Sequence, residues 1–279
     1  MAGDPASTRT KVAVMENGPR LQSQKTSLRR RGIYLLPNLF TTGALFAGFF
    51  SVVAAMDGNF QKAAMAIFVA MVLDGLDGRV ARLTSTESDF GKEYDSLSDM
   101  VSFGLAPALV VYQWGATTLL EYRWMWGRLG WLAAFFYAVC AAMRLARYNS
   151  RVGIADKDFF EGLPSPSGAA LVGGTVWLAA EYGLAGWWGF AIAFTVTAAT
   201  GALMVSNFDY YSGRSVNLGR HISFPYLLLI PAVFMLISLD PPIVLFSLFV
   251  VYTVSGPVVT VWRRLRARRI GESRDRKAA

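Results

Sequence analysis

The chain has 279 residues, of which 54% are apolar and 16% charged, with a formal net charge of +8. The apolar residues come in runs of about 20, long enough to cross the hydrocarbon of a bilayer as helices, and this excludes an ordinary soluble domain. A single cysteine, Cys140, excludes internal disulfides and cysteine-based metal sites.

Residues 1–28 are polar and basic and contain no apolar core of the signal-peptide kind, so a disordered tail is expected there. The first span is read over residues 33–56, with Pro37, Asn38 and Thr41 interrupting its start. An asparagine there either caps the helix or bonds a neighbouring one. Residues 60–83 form the second span, with Asp74 and Asp77, and residues 94–115 the third, with Asp95 and Asp99. The fourth, 128–149, ends in Arg144 and Arg147. A polar loop containing Glu161 then leads through Gly162-Leu163-Pro164-Ser165-Pro166 into the fifth, 164–180. That segment suits a proline-started helix, and equally a loop that closes on a substrate. Spans six to eight are read over 186–206, 223–239 and 241–262. A basic tail follows over 263–279, suited to anionic lipid headgroups. The expected fold class is all-α: a polytopic transmembrane helical bundle of about eight spans.

With the N-terminus in the cytoplasm, 24 of the 27 lysines and arginines fall on the cytoplasmic side. Only Lys62, Arg123 and Arg128 fall on the other. This is the bias of the positive-inside rule, and it places both termini and the aspartates at the cytoplasmic face. It also accounts for the net positive charge, so membrane lipids rather than nucleic acid are the expected partners. His221, the only histidine, lies in a basic loop and is assigned no catalytic role.

The four aspartates are the chemical signal. Carboxylates in a spanning helix cost about 3 kcal/mol each on insertion scales, so four of them imply a common partner. Asp74 and Asp77 are three apart, and Asp95 and Asp99 four apart. Each pair therefore shares one helix face, and a reversal at Gly91 is expected to bring the two faces together. Such an oxygen set suits a hard divalent cation such as Mg2+ or Mn2+.

In order, the stretch reads Asp74-x2-Asp77-Gly78-x2-Ala81-Arg82-x8-Gly91-x3-Asp95-x3-Asp99. This resembles the signature of the CDP-alcohol phosphotransferases at every fixed position. Further likeness, to the members that use serine, lies in Leu36-Pro-Asn-Leu-Phe-Thr-Thr42, in Tyr94-Asp-Ser-Leu-Ser-Asp99, in Met143-Arg-Leu-Ala-Arg-Tyr-Asn149, in Phe160-Glu-Gly-Leu-Pro-Ser-Pro166 and in Leu203-Met-Val-Ser-Asn207. The resemblance implies a six-helix catalytic core over 29–210, followed by a transmembrane pair over 211–262. It implies two metal ions held by Asp74, Asp77, Asp95 and Asp99, with Asp99 also acting as general base. CDP-diacylglycerol would be the donor, contacted by Asn38, Thr41, Gly78, Ala81, Arg82 and Ser88. Gly78 and Ala81 could alternatively serve tight helix packing. A homodimer in a bacterial or archaeal cell membrane is also implied, with Gly168, Gly173 and Gly174 as a weak mark of a packing face.

The signature does not fix the acceptor alcohol. L-serine follows from the flanking segments, with Arg144 or Arg147 for its carboxylate and Glu161 for its ammonium. The two arginines could equally set topology alone. Glycerol 3-phosphate or inositol is the alternative acceptor. A divalent-cation transporter is the reading from another class, disfavoured because the aspartates gather at one membrane face.

Overall fold

The computed structural model describes residues 21–84, 88–150, 159–211 and 224–278. Within these, each apolar run is helical. Helices α1 (Leu21–Met56) and α2 (Phe60–Thr84) form the most extensive contact of the bundle. Helix α3 (Asp89–Asp99) continues through a π-helical stretch (Met100–Leu105) into α4 (Ala106–Thr118). A broken segment containing the one-turn α5 (Arg123–Met125) then leads into α6 (Trp131–Ser150). Helices α7 (Ser165–Tyr182), α8 (Trp187–Val205), α9 (Phe224–Leu239) and α10 (Pro241–Ala278) complete the fold. Two short strands, β1 (Phe159–Glu161) and β2 (Asp209–Tyr211), pair antiparallel, with Glu161 opposite Asp209.

By length and composition alone, Pro37–Met56, Leu120–Ser150, Trp187–Val205 and Pro241–Arg263 are apolar and long enough to cross a membrane. The other helices fall short for local reasons. Helix α2 carries Asp74, Asp77, Arg79 and Arg82, α3 is acidic, α7 is rich in glycine and serine, and α9 has 16 residues. The protein is a polytopic helical membrane protein.

The first helix begins earlier than expected. Residues 21–28, read from sequence as part of a disordered tail, are helical. They hold Leu, Gln and Lys, good helix formers, and no glycine or proline intervenes before Gly32. Residues 1–20 lie outside the described residues, as do His221 and residues 151–158 of the loop read as a possible substrate closure.

Helix α7 occupies the centre, with 13 of its 18 residues buried. Its glycines let three helices approach. A Cβ on Gly168 would lie 2.2 Å from the Met204 methyl of α8, one on Gly173 3.0 Å from Ile67 of α2, and one on Gly174 3.1 Å from Phe246 of α10. These glycines, expected as a face for a second copy, are thus used within the chain.

The third span is not one regular helix, and Pro107 explains why. Proline has no N–H to donate to the Phe103 carbonyl four residues back. That carbonyl instead accepts from the Tyr137 hydroxyl of α6 at 2.8 Å, while the chain widens into its π-helical stretch. The same stretch is fastened to α1. Ser98 and Ser102 donate to the Thr41 and Ala44 carbonyls, and a Cβ on Gly48 would lie 2.6 Å from the Ser102 hydroxyl. The face of α3 that carries the aspartates is thereby fixed against α1.

Gly162 joins the strand pair to α7. Its φ of +78° favours glycine, and a Cβ there would lie 2.3 Å from the Met204 carbonyl oxygen, a backbone atom. Its N–H donates to Phe208 O at 2.9 Å and that of Leu163 to Leu203 O at 3.0 Å. Gly162→Ala should therefore cost on the order of 1–3 kcal/mol. The expected result is a lower melting temperature in detergent, whereas an unchanged one would show that this joint is not constrained.

Candidate active site

The chain reverses between α2 and α3, with Ser88 as the N-cap of α3. Its Oγ accepts from Gly91 N at 3.0 Å. The reversal thus precedes Gly91, which belongs to the first turn of α3 and not, as expected, to the turn itself. A Cβ at Gly91 would crowd Ser88 Oγ at 3.1 Å and touch Asn38 Oδ1 at 3.5 Å.

Across this hairpin the two aspartate faces meet. Asp74, Asp95 and Asp99 each offer a carboxylate oxygen, all within 4.8 Å of one another. Asp77 stands beside this trio. It is buried, accepts from the Thr41 hydroxyl at 2.7 Å, and its carboxyl is in hydrogen-bonding reach of Asp95. Asp74 and Asp99 approach each other in the same way. Asp95 Oδ1 and Asp99 Oδ1 are buried with no hydrogen-bond partner among the described residues. Buried oxygens without donors, next to like charges, are what a cation site provides when its ligands come from protein alone. The donor set of carboxylates, without sulfur or imidazole, fits Mg2+ or Mn2+.

A cavity of about 310 Å³ opens beside Asp77 and Asp95. All six residues expected to contact the CDP-lipid line it: Asn38, Thr41, Gly78, Ala81, Arg82 and Ser88. A Cβ on Gly78 would meet nothing within 4 Å, so helix packing does not require this glycine, which borders the open cavity. Arg82 lies against its own helix, with Nε donating to Gly78 O at 2.9 Å. Lys92 and Tyr148 also line the cavity. Spacing gave no signal for Tyr148, which reaches the cavity from the last turn of α6, where Asn149 bonds Ser96 of α3.

The arginines of α6 have separate tasks. Arg144 Nη1 donates to Ser165 Oγ at 2.7 Å, its Nε is buried without a partner among the described residues, and its charge acts on Asp99. Arg147 donates to Asn207 Oδ1 at 3.3 Å and approaches Ser206 O at 3.5 Å, tying α6 to the end of α8. Glu161 is exposed in β1. The structure thus puts Arg144 within electrostatic range of Asp99 and engages Arg147 elsewhere. The partner of Arg144 at the start of α7, Ser165, was not expected.

The family model for CDP-alcohol phosphatidyltransferases matches residues 34–204, more than half of the chain. The chain belongs to the CDP-alcohol phosphatidyltransferase family. The CDP-diacylglycerol–serine O-phosphatidyltransferase of Helicobacter pylori (strain ATCC 700392 / 26695) is 34% identical over 222 residues, which cover 80% of this chain and 90% of that protein. That of Mycobacterium leprae (strain TN) is 32% identical over 244 residues, 85% of this chain and 78% of that protein. That of Mycobacterium tuberculosis (strain ATCC 25618 / H37Rv) is 39% identical over 199 residues, 68% and 66%. CDP-alcohol phosphatidyltransferases generally use divalent metals, in keeping with the acidic cluster here.

A cation at this site should stabilise the fold by mass action. Mn2+ or Mg2+ should raise the melting temperature of the purified protein, EDTA should reverse the rise, and Asp74→Asn or Asp95→Asn should remove it. A wild-type melting temperature that ignores both ions would contradict a metal site.

Proposed function

We propose that the chain transfers the phosphatidyl group of CDP-diacylglycerol to L-serine, giving phosphatidylserine and CMP. One observation carries this reading: Asp77 and Asp95, the latter with an oxygen unpartnered among the described residues, line the same cavity as all six expected donor-lipid contacts. The relatives' use of serine supplies the acceptor.

When bound by Asp74, Asp77, Asp95 and Asp99, two Mg2+ or Mn2+ ions would supply charge neutralisation for the donor pyrophosphate and the departing CMP. The remaining chemistry belongs to the chain. The serine hydroxyl gives its proton to Asp99 as its oxygen attacks the phosphorus that carries diacylglycerol, and the bond from that phosphorus to the CMP oxygen breaks. Arg82 offers a planar cationic fork to the phosphates, while Asn38, Thr41 and Ser88 present polar groups and Gly78 and Ala81 leave room. Arg144, beside Asp99, holds the serine carboxylate, which puts the acceptor hydroxyl near its base. Arg147 is committed to Asn207, so the acceptor role falls to Arg144, with Glu161 assigned to the ammonium. The matched segment makes up most of the proposed core over 29–210, and the last two helices begin in the proposed C-terminal segment over 211–262, with α10 packed on α7 and β2. By the lysine and arginine bias, this site and both termini face the cytoplasm. A cysteine at Ser88 reacting with an impermeant thiol reagent only from outside the cell would overturn that orientation.

Membranes containing the protein, given CDP-diacylglycerol, should incorporate labelled serine but not glycerol 3-phosphate or inositol, and should release CMP. Incorporation of either other alcohol in place of serine would overturn the acceptor assignment. In the same assay Asp99→Asn should lower turnover by roughly 100-fold or more, the scale of general-base catalysis, while donor binding is largely kept. Unchanged turnover would remove Asp99 from the proton transfer.

A further inference from the structure

Tyr148 stands out among the described residues lining the donor cavity as the one aromatic side chain. It lies in the last turn of α6, and its neighbours on both sides are fastened in different directions. Arg147 bonds Asn207 at 3.3 Å, and Asn149 Nδ2 donates to Ser96 Oγ of α3 at 2.9 Å. The turn between these two anchors is held in place, and Tyr148 projects from it into the cavity. Phe160 of β1 props its ring edge-on, with centroids 6.3 Å apart and planes at 63°. Even so, 41% of Tyr148 stays exposed. A tyrosine near a membrane surface often belongs to the aromatic belt at the headgroups. This one instead shares a cavity with Asp77, Asp95 and Arg82.

We propose that Tyr148 is the stacking platform for the cytosine ring of the donor. This rests on reading the cavity as the CDP-lipid site. A nucleotide-bearing lipid brings two chemically different parts to one cavity. The phosphates seek the cationic and metal-binding end, and the base needs a flat apolar surface. Asn38, Ser88 and Lys92 offer hydrogen-bonding groups to the edge of a pyrimidine, but none offers a face. A preset aromatic ring fills that need, and stacking is strongest where the ring is already fixed before the ligand arrives. Tyr148 therefore recognises the nucleotide, whereas the aspartates recognise its phosphates.

CMP, which carries the base without the lipid, is the probe. Inhibition by CMP should weaken roughly 5- to 100-fold in Tyr148→Leu, the range that base–aromatic stacking spans, and return to near the wild-type value in Tyr148→Phe. The KM for serine should stay the same in both variants. Unchanged CMP inhibition in Tyr148→Leu, an equal loss in Tyr148→Phe, or a rise confined to the serine KM would each overturn the proposal. Should Tyr148→Leu fail to accumulate, Tyr148→Trp gives a second readout. CMP should quench the emission that this variant adds to the wild-type spectrum, and no quenching would overturn stacking. CMP that fails to inhibit the wild-type protein at all would instead sink the donor reading beneath it.

Discussion

Asp74 meets Asp99 across the α2–α3 hairpin, and Asp77 meets Asp95 beside them. Two like charges about 4 Å apart repel by about 4 kcal/mol at an effective dielectric constant of 20. Several such pairs in one cluster would rival the net stability of a typical domain. A divalent cation reverses the sign of this interaction, since each carboxylate then faces a charge opposite to its own. The hairpin suits a cation, and under the proposed function the cavity beside it would give the phosphates of the donor access to the same charge.

Holding the carboxylates in register requires stiff helices with few degrees of freedom. Thr41 fixes Asp77, while Ser98 and Ser102 fasten the α3 side to carbonyls of α1. Tyr137 takes the carbonyl that Pro107 cannot serve and so links α6 to the same stretch. From α6, Arg144 reaches Ser165 at the start of the central α7. The C-terminal helix is tied in through β2. The Tyr210 ring fills the space at Gly256, where a Cβ would lie 2.3 Å away, and Arg263 pairs with Asp209 at 3.0 Å. A helix that carries no motif therefore buttresses the end of the bundle at which Arg144 and the strands lie.

Much of this was legible because hydrophobic runs and helical spacing are local properties. The eight apolar runs and the shared faces of Asp74/Asp77 and Asp95/Asp99 needed only the 3.6-residue period. That Asn38, Thr41, Gly78, Ala81, Arg82 and Ser88 belong together came from the resemblance of a dense motif and its flanks to a family signature, and they line one cavity. What sequence could not show depends on long-range partners. Ser88 reads as a ligand contact, yet its oxygen also caps a helix. Arg144 and Arg147 read as equivalents, and only the position of Asn207 against α6 separates them. Tyr148 lies in a segment that carries the resemblance, but nothing in that segment marks it as a cavity residue, because its place there depends on where the end of α6 packs. The reversal was misplaced at Gly91 because glycine suits a turn. Here it serves instead to avoid Ser88 and Asn38.

The claim that these carboxylates form a paired cation site is tested most directly by electron paramagnetic resonance of the purified protein titrated with Mn2+. Two ions should bind per chain and give the signal of magnetically coupled neighbours, and Asp95→Asn should abolish the coupling. Binding of no ion, or of isolated ions insensitive to Asp95→Asn, would contradict it.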